Sequence, residues 1–351
     1  MIEKIAPRRF LEFAANMPVF DVRSPAEFEM GHVPKAFNLP LFDDDERAVI
    51  GTLYKKAGKE ASLLKGLDIV GPKMSGFVKT ALRFAPEKSL LLHCWRGGMR
   101  SESVAWLLSL AGFKVYLLEG GYKAYRQFIR DEIGSPAKYV ILGGSTGSGK
   151  TEILEILHQK GEQVLDLEKI ACHKGSAFGQ IGEKPQPTNE QFENDLFDAW
   201  SRLDHSRTIW VEDESHSVGK VFIPHPLYMV MEKSEVLRIR MSKENRIKRL
   251  VNDYAKFPKE ELKNAVNKIT RKMGGQNALA AIEAIEEGNF DVAVGIILFY
   301  YDKMYDFGIK RHDPAKVFPL ETDTPDAAIN ADKILEFYQN IFLSWQNLPG
   351  L

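Results

Sequence analysis

The sequence LLHCWRGGMRS, from Leu91 to Ser101, combines a strand end, a cysteine, a glycine loop and a helix start. The apolar run at residues 89–93 predicts a short buried strand, and the amphipathic residues 101–111 predict a helix. Cys94 lies between them and is expected at the mouth of a loop that ends at the helix amino terminus. Loop amides and the helix dipole would then point at an anion carried by the sulfur.

Three residues of this loop are candidates for chemistry: Cys94, Arg96 and Arg100. Positive charge beside a thiol favours the thiolate, which is the nucleophilic form. Gly97 and Gly98 let the backbone curl closely around an anion without a Cβ clash. A buried structural cysteine is the alternative, but inert thiols rarely lie between a strand end and an Arg-Gly-Gly loop.

The composition indicates a globular protein of two domains, with 351 residues that are 44% hydrophobic and 27% charged. A net charge of −1 argues against general coating of nucleic acid, although it is compatible with a local basic patch. Two cysteines exclude a disulfide framework and predict a reducing compartment, the cytoplasm; Cys172 lacks an arginine-rich loop and is predicted to be a small packed residue. We expect no membrane span and no signal peptide.

Strands and helices alternate on both sides of the cysteine loop, which predicts a parallel-rich α/β domain. Ser24 is a predicted helix N-cap, with Glu27 three residues later as in a capping box. Strands are predicted at 18–23 and 114–118, and further helices at 44–57, 68–84 and 121–132.

Three segments resemble a rhodanese-type sulfurtransferase domain: DVRSPAEFEMGHVPKAFNLP, HCWRGGMRS and VYLLEGGYKAY. The resemblance covers about residues 10–131 and implies that Cys94 is the catalytic sulfur carrier, held as a persulfide. Asp21 and Arg23 match the DVR motif of that family, and we interpret them as a packed structural ion pair.

The cysteine loop departs from the usual rhodanese pattern, because five residues rather than four separate Cys94 from Arg100. The pattern HCxxGxxR[ST] is also the signature of cysteine phosphatases. A larger loop suits a larger tetrahedral group, such as phosphate or selenophosphate. Loop length alone therefore leaves transfer of sulfur or selenium and hydrolysis of phosphate both open.

The short stretch GSPA at residues 134–137 is the best domain boundary, dividing the chain into domains 1–133 and 138–351. Beyond it, a strand at 139–142 and a helix at 152–160 enclose GSTGSGKT, which fits the P-loop pattern GxxxxGK[ST]. Such a loop binds phosphate or diphosphate and does not by itself specify ATP. Lys150 would neutralise a terminal phosphate and Thr151 can hold a magnesium ion. The predicted phosphate-binding residues are Gly144, Ser145, Gly147, Ser148, Gly149, Lys150 and Thr151.

Acidic residues follow two further predicted strands of the second half. Asp213 follows the strand at 208–211 and is the preferred candidate to orient magnesium. Asp166 is the second candidate. A solvated strand end is the alternative for residues 212–214. The loop at 170–182 holds three residues that could contact diphosphate or tRNA, or form a plain surface loop: His173, Lys174 and Ser176.

A basic set in the second half could track tRNA phosphates, or could simply be a solvated surface. It consists of Arg238, Arg240, Arg246, Lys248 and Arg249. A strand is predicted at 227–231 and a helix at 243–257. After residue 258 the chain is predicted to be nearly all helical until residues 316–320, and a last helix is predicted at about 327–345.

Five segments in order resemble the tRNA 2-selenouridine synthase family: HCWRGGMRS, GGSTGSGKT, IACHKGSAFG, QPTNEQFEN and VEDESHSVG. The resemblance implies a rhodanese-like domain followed by a P-loop NTPase-like α/β domain with a helical tail. It also implies replacement of sulfur in wobble 2-thiouridine of tRNA by selenium from selenophosphate, through an S-geranyl intermediate made from geranyl diphosphate. These donors are substrates, and no tightly bound cofactor is expected.

Two other classes of function stay open on the motifs alone. A cysteine phosphatase joined to a P-loop kinase fits HCxxGxxRS and GxxxxGKT. A phosphate-sensing regulator with a rhodanese module fits less well, because the cysteine and the loop glycines are all present.

Overall fold

Two five-stranded parallel sheets form the framework of the chain, which a computed structural model describes for residues 1–342, with side chains through residue 340. One compact unit comprises residues 1–133 together with 193–198. The other comprises residues 134–192 and the chain from Ala199 onward. Within residues 1–342, none of the helices combines the length and the apolar character that a membrane span requires.

The first unit is built around a sheet with the strand order β1-β5-β4-β2-β3, in which every neighbouring pair is parallel. The predicted strand at 89–93 is confirmed as β4, the middle strand, and the predicted helix at 121–132 is confirmed as α6. The elements are β1 (Ile2–Ile5), α1 (Pro7–Ala14), β2 (Val19–Asp21), α2 (Pro25–Met30), β3 (Phe37–Asn38), α3 (Asp44–Val70), α4 (Met74–Phe84), β4 (Ser89–His93), α5 (Met99–Leu110), β5 (Lys114–Leu118) and α6 (Gly121–Glu132).

The segment α3 consists of two helical runs that meet at Gly58, so the helix end predicted at residue 57 is confirmed. The second run, which continues to Val70, begins earlier than the helix predicted from residue 68. Gly58 joins two helical runs with φ 84° and ψ −171°, a conformation that residues with a Cβ rarely adopt. The glycine therefore bends the helix where the sequence pattern suggested a connection.

The second unit has the strand order β12-β11-β6-β8-β7, again with every neighbouring pair parallel. Its middle strand, β6, leads into the P-loop. The elements are β6 (Lys138–Gly144), α7 (Lys150–Gln159), β7 (Gln163–Leu165), α8 (Leu167–Ala171), α9 (Asn189–Ser201), β8 (Thr208–Glu212), β9 (Ser217–Val218), β10 (Val221–Phe222), α10 (His225–Lys233), β11 (Glu235–Met241), α11 (Lys243–Tyr254), α12 (Lys259–Met273), α13 (Gly275–Glu287), α14 (Phe290–Gly308), β12 (Val317–Thr322) and α15 (Ala327–Phe337).

The strand predicted at 227–231 is wrong, because these residues belong to the helix α10. Leu227 and Met231 are both buried, and their spacing of four residues places them on one helical face. Pro226 lies in the first turn, where its missing N–H costs no helical hydrogen bond. The strand of this region is β11, which carries Arg238 and Arg240.

Two apolar clusters pack the second unit. One joins the sheet to α7 and α15, and includes Trp210 of β8. The other, which we call the helical core, is formed mainly by α12, α13 and α14. The helix predicted at 327–345 is observed as α15 with a further turn at Tyr338–Phe342, and residues 343–345 lie outside the described residues.

A buried ion pair stands at the carboxyl end of β2, as interpreted from the DVR motif. Asp21 and Arg23 are 0% and 1% exposed, and their closest side-chain atoms are 2.6 Å apart. The Arg23 guanidinium also donates to the Gly31 carbonyl at 2.7 Å and lies 3.8 Å from the ring centre of Tyr122. This pair therefore ties together the chain on both sides of α2.

We predict that Asp21→Ala lowers the free energy of unfolding by about 3–5 kcal/mol, because it leaves the Arg23 charge buried and unpaired. Urea denaturation of the full chain measures the effect. The matched control is Glu102→Ala, which removes the exposed pair between Glu102 and Lys4 (2.7 Å) and should cost less than about 1 kcal/mol. Equal costs for the two variants would show that the buried pair has no special role.

Candidate functional site

The cysteine loop connects β4 to α5 and holds the thiol at its base. Cys94 is the first residue after β4, in the loop that ends at the start of α5, as predicted, but its side chain is only 3% exposed. The Ser101 hydroxyl donates to Sγ at 3.2 Å, and the thiol lies 3.9 Å from the Gly98 carbonyl oxygen. The sulfur is therefore covered by residues at the start of α5. A group that reacts with it must enter the loop.

The first turn of α6 packs against the cysteine loop. This contact explains why the segment LLEGGYKAY accompanies the cysteine motif. The Tyr122 amide donates to the Cys94 carbonyl at 2.8 Å, and the Lys123 amide donates to the Trp95 carbonyl at 2.9 Å. Gly121 has φ +61°, and a Cβ there would overlap the Gly97 nitrogen. Only glycine lets the two backbones approach so closely.

The two loop arginines have different environments. The Arg100 guanidinium donates to the Glu27 carboxylate at 2.8 Å, and that carboxylate also accepts from the Ser24 amide at 3.1 Å. The predicted N-cap and capping-box residues of α2 therefore also fix the position of Arg100. Arg96 is exposed on the loop. Of the two arginines, only Arg96 projects into solvent without a carboxylate fixing it.

The predicted P-loop lies between β6 and α7, at the carboxyl end of the middle strand of its sheet. The Lys150 ammonium donates to the Gly144 carbonyl at 3.0 Å, and the Ser148 amide donates to the Ser145 carbonyl at 3.1 Å. The Thr151 hydroxyl donates to the Glu168 carboxylate at 2.8 Å. The loop therefore leads from the middle strand directly to a helix amino terminus, where backbone amides can bind an anion.

A cavity of about 650 Å³ adjoins the P-loop within the second unit. Its polar part includes Gly147, Gly149, Lys150 and Thr151 of the predicted set, together with Arg311. Its other part is apolar and belongs largely to the helical core. The apolar lining includes Phe178, Leu262, Ile285, Phe290, Ala293, Val294 and Ile297.

The preferred magnesium-orienting carboxylate is engaged in another way. Asp213 accepts from Arg311 Nη2 at 2.5 Å and is 2.9 Å from His312 Nε2; its side chain is 2% exposed. Asp166 caps α8, accepting from the Lys169 amide at 2.8 Å. Across residues 1–342, no three His, Cys, Asp or Glu side chains form a group able to hold a metal ion. Because the residues do not present an open carboxylate site, we derive no step through magnesium.

Residues 212–214 are not the solvated strand end that we weighed as the alternative. Glu212 is fully buried and accepts from the Leu167 amide at 3.0 Å. Burial raises its pKa well above the ordinary value, and the carboxylates of Asp166 and Glu168 raise it further. Burial and the neighbouring Glu168 carboxylate raise the pKa of Glu214 to about 8.

The loop candidates at 170–182 divide into two groups. Lys174 and Ser176 line the cavity beside the P-loop. Lys174 also pairs with Glu183 at 2.9 Å. His173 is buried and lies outside the cavity lining, and burial lowers its pKa. Cys172 is half-buried at the end of α8, in the left-handed conformation. Residues 170 and 171, predicted as loop, belong to α8.

Four of the five basic candidates are paired with carboxylates. Arg246 is buried, makes two hydrogen bonds to Asp302 at 2.7 and 2.9 Å, and donates to the P-loop carbonyl of Thr146 at 3.2 Å. It therefore supports the P-loop from α11. Lys248 is exposed. The other pairs are Arg238 with Asp306, Arg240 with Glu321, and Arg249 with Glu152. Binding of tRNA phosphates by this set stays a prediction.

The polar residues of the P-loop cavity that sequence reasoning missed include Glu168, Tyr305 and Arg311. Glu168 could have been found, because it follows a strand end in the way that Asp166 does. Arg311 carried no local signal, since its contact with Asp213 spans 98 residues of sequence. Such a pairing follows only from the packing of the helical tail against the sheet.

We predict that Glu214→Gln changes how stability depends on pH. The folded chain holds the Glu214 proton to about pH 8, whereas the unfolded chain releases it near pH 4.5. The stability from this proton is complete below pH 4.5 and is lost as the pH rises to about 8. In urea denaturation, the free energy of unfolding of the variant relative to the wild type should therefore rise between about pH 5 and pH 8. Above about pH 8 this difference should stay constant. A constant difference would contradict the raised pKa.

Comparison with known proteins agrees with this architecture. The profile of the "tRNA 2-selenouridine synthase AAA domain" matches residues 137–330, and that of the "Rhodanese-like domain" matches residues 10–128.

Three relatives named "tRNA 2-selenouridine synthase" align with most of the chain. The Bordetella petrii protein is 35% identical over 87% of this chain and 90% of its own length, and the Shewanella denitrificans protein is 32% identical over 87% and 92%. The Sulfurovum protein is 33% identical over 85% and 90%. The chain therefore belongs to the tRNA 2-selenouridine synthase family.

Proposed function

We propose that this chain converts wobble 2-thiouridine of tRNA into 2-selenouridine in two steps. A geranyl group from geranyl diphosphate is first placed on the sulfur, and selenium from selenophosphate then replaces the alkylated sulfur. The names of the relatives support the tRNA substrate and the selenium product. We assign the first step to domain 138–351 and the second to domain 1–133.

The main support for the proposal is that the P-loop cavity has both a polar and an apolar lining. Its polar part offers the Lys150 ammonium and the amides of the P-loop, which suit a diphosphate. Its apolar part offers aliphatic and aromatic side chains of the helical core, which suit a hydrocarbon chain. One ligand that needs both is an isoprenoid diphosphate.

The first step is an alkylation that this cavity can promote. The thiouridine sulfur bonds to the carbon next to the diphosphate, while the carbon–oxygen bond breaks and its electron pair leaves with the diphosphate. Lys150 is placed to stabilise the charge that grows on the departing group. Arg311 supplies a second cation at the same part of the cavity, and Asp213 holds it there.

The second step uses the activated base. Sulfur of a thiocarbonyl leaves poorly, whereas the alkylated sulfur leaves as geranylthiolate and makes the attached carbon electrophilic. We assign the handling of selenium to Cys94. Its thiolate takes the phosphoryl group of selenophosphate, so that the phosphorus–selenium bond breaks and its electron pair leaves with selenide. Selenide then bonds to the electrophilic carbon while geranylthiolate departs, and water releases phosphate from Cys94. Arg96 and the positive end of the α5 dipole would stabilise the donor anion. A reactive thiol is compatible with the cytoplasm, where we place the enzyme.

A cysteine phosphatase joined to a kinase explains the apolar part of the cavity less well. A nucleotide base in that part would need polar partners for its ring nitrogens, and the helical core provides mainly hydrocarbon surface. The experiment that decides is mass spectrometry of thiolated tRNA incubated with the protein, geranyl diphosphate and selenophosphate, leaving out one donor at a time. Loss of phosphate from a general phosphomonoester, without any change in tRNA, would favour the phosphatase.

We predict that Lys150→Ala lowers the rate of geranylation at least about a hundredfold, because the departing diphosphate loses its closest cation. Geranylated tRNA is counted by mass spectrometry without selenophosphate. Lys160→Ala is the matched control, since Lys160 lies just beyond the end of α7 and pairs with Asp332 at 2.8 Å. Normal geranylation by the Lys150 variant would refute the role of the P-loop.

We predict that Cys94→Ala blocks incorporation of selenium and spares geranylation, so that S-geranyl tRNA accumulates. The reason is that only the second step is assigned to the thiol. The control is Cys172→Ala, which removes the other cysteine and should leave both products unchanged. If the Cys94 variant makes selenouridine at the normal rate, the sulfur has no part in the reaction.

A further inference from the structure

An exposed aromatic side chain, that of Phe307, lies at the edge of the P-loop cavity. Phe307, in the last turn of α14, is 74% exposed, although it lines the cavity. Met304, one turn earlier, also lines the cavity and is 47% exposed. The last turns of α14 therefore hold two apolar side chains out to solvent at the edge of the cavity, where they gain little from burial in the protein itself.

A second phenylalanine on α14 shows what is particular about Phe307. Phe299 is 53% exposed, but the Lys303 ammonium lies 4.2 Å from its ring centre, and it is outside the cavity lining. In the part of the chain with described side chains, no ring or cation is recorded over Phe307. Its ring is therefore available to a flat ligand at the cavity opening.

Two cationic residues follow Phe307 closely in the chain, and one of them, Arg311, also lines the cavity. Lys310 is exposed, and Arg311, four residues after Phe307, is held by Asp213 and by the Glu214 carbonyl at 2.8 Å. An aromatic face beside two cations suits a nucleobase attached to its phosphate backbone, because the ring stacks and the cations attract phosphate. The apolar interior of the cavity has no such charges.

The geometry that the proposed transfer requires also favours binding of the base near Phe307. In the proposed first step, the base sulfur must reach the carbon that carries the diphosphate. With the diphosphate at the P-loop and the hydrocarbon chain along the helical core, as proposed, that carbon would lie between the two, and Lys150 and Arg311 both line this cavity. A platform for the acceptor base must therefore lie near Arg311 and open to solvent, as Phe307 does.

We propose that Phe307 is the stacking platform for the pyrimidine base of the RNA that accepts the transferred group. The 2-thiouracil ring lies against the Phe307 ring with its sulfur directed into the cavity. The identity of the donor rests on the proposed function, whereas the stacking contact does not depend on it.

Steady-state kinetics of the full chain test the platform. The acceptor is an anticodon stem-loop RNA with 2-thiouridine at the wobble position, and the donor is geranyl diphosphate. Phe307→Ala should raise KM for the RNA about tenfold, as expected for the loss of one stacked base, and leave KM for geranyl diphosphate unchanged. Phe307→Tyr should retain the wild-type KM for RNA, and Phe307→Leu should not, because stacking needs an aromatic face.

Phe299→Ala is the matched control, since it removes an exposed phenylalanine from the same helix outside the cavity. It should leave both KM values unchanged. The proposal is overturned if Phe307→Ala leaves KM for RNA unchanged, if Leu restores it as well as Tyr, or if the donor KM rises instead. The last result would assign Phe307 to the isoprenoid chain.

A binding measurement without donor separates this inference from the proposed function. In the Phe307→Trp variant, stacking of the thiouridine base should quench the new tryptophan fluorescence, and the same RNA with the base removed at that position should quench it less. If the wild type transfers no geranyl group but the quenching is seen, the proposed donor is wrong and the platform stands. If geranyl transfer is normal and the two RNAs quench equally, the platform is refuted and the proposed function stands.

Discussion

Both candidate sites depend on one constraint, which is that the middle strand of a parallel sheet must pass directly through a short loop into a helix. β4 is the middle strand of its sheet and leads through the Cys94 loop into α5; β6 is the middle strand of the other and leads through the P-loop into α7. The first amides of each helix have no partner within the helix. An anion can therefore bind at each of these two places, and the surrounding side chains decide which anion.

The local parts of this arrangement follow from the sequence, because strand, loop and helix are contiguous there. The strand at 89–93, the helix at 121–132 and the P-loop setting were all predicted from short patterns. Residues 227–231 were misassigned because five apolar residues fit a strand or one helical face equally well. The Asp213–Arg311 pair lay beyond prediction, since five helices, α10 to α14, separate the two residues in the chain.

The pairing of Asp213 changes the electrostatics expected of a P-loop. A carboxylate open at the end of β8 would have offered a place for a divalent cation. Instead its charge is balanced by Arg311 and its geometry is fixed by His312. The neighbouring carboxyl of Glu214 keeps its proton to about pH 8, which removes one more negative charge from the region near Lys150. The polar part of the cavity therefore favours an anionic ligand through protein cations and amides.

The two proposed steps need opposite surroundings, which gives a physical reason for two sites in one chain. Alkylation by an allylic diphosphate must exclude water, because water captures the same carbon that the sulfur must reach. The helical core supplies that shelter along the apolar part of the cavity. Replacement of the alkylated sulfur needs a donor that dissolves in water and carries several negative charges, and an apolar cavity would reject it. An arginine-bearing loop that follows a strand meets this second requirement without an apolar lining, so each step has a site suited to its own donor.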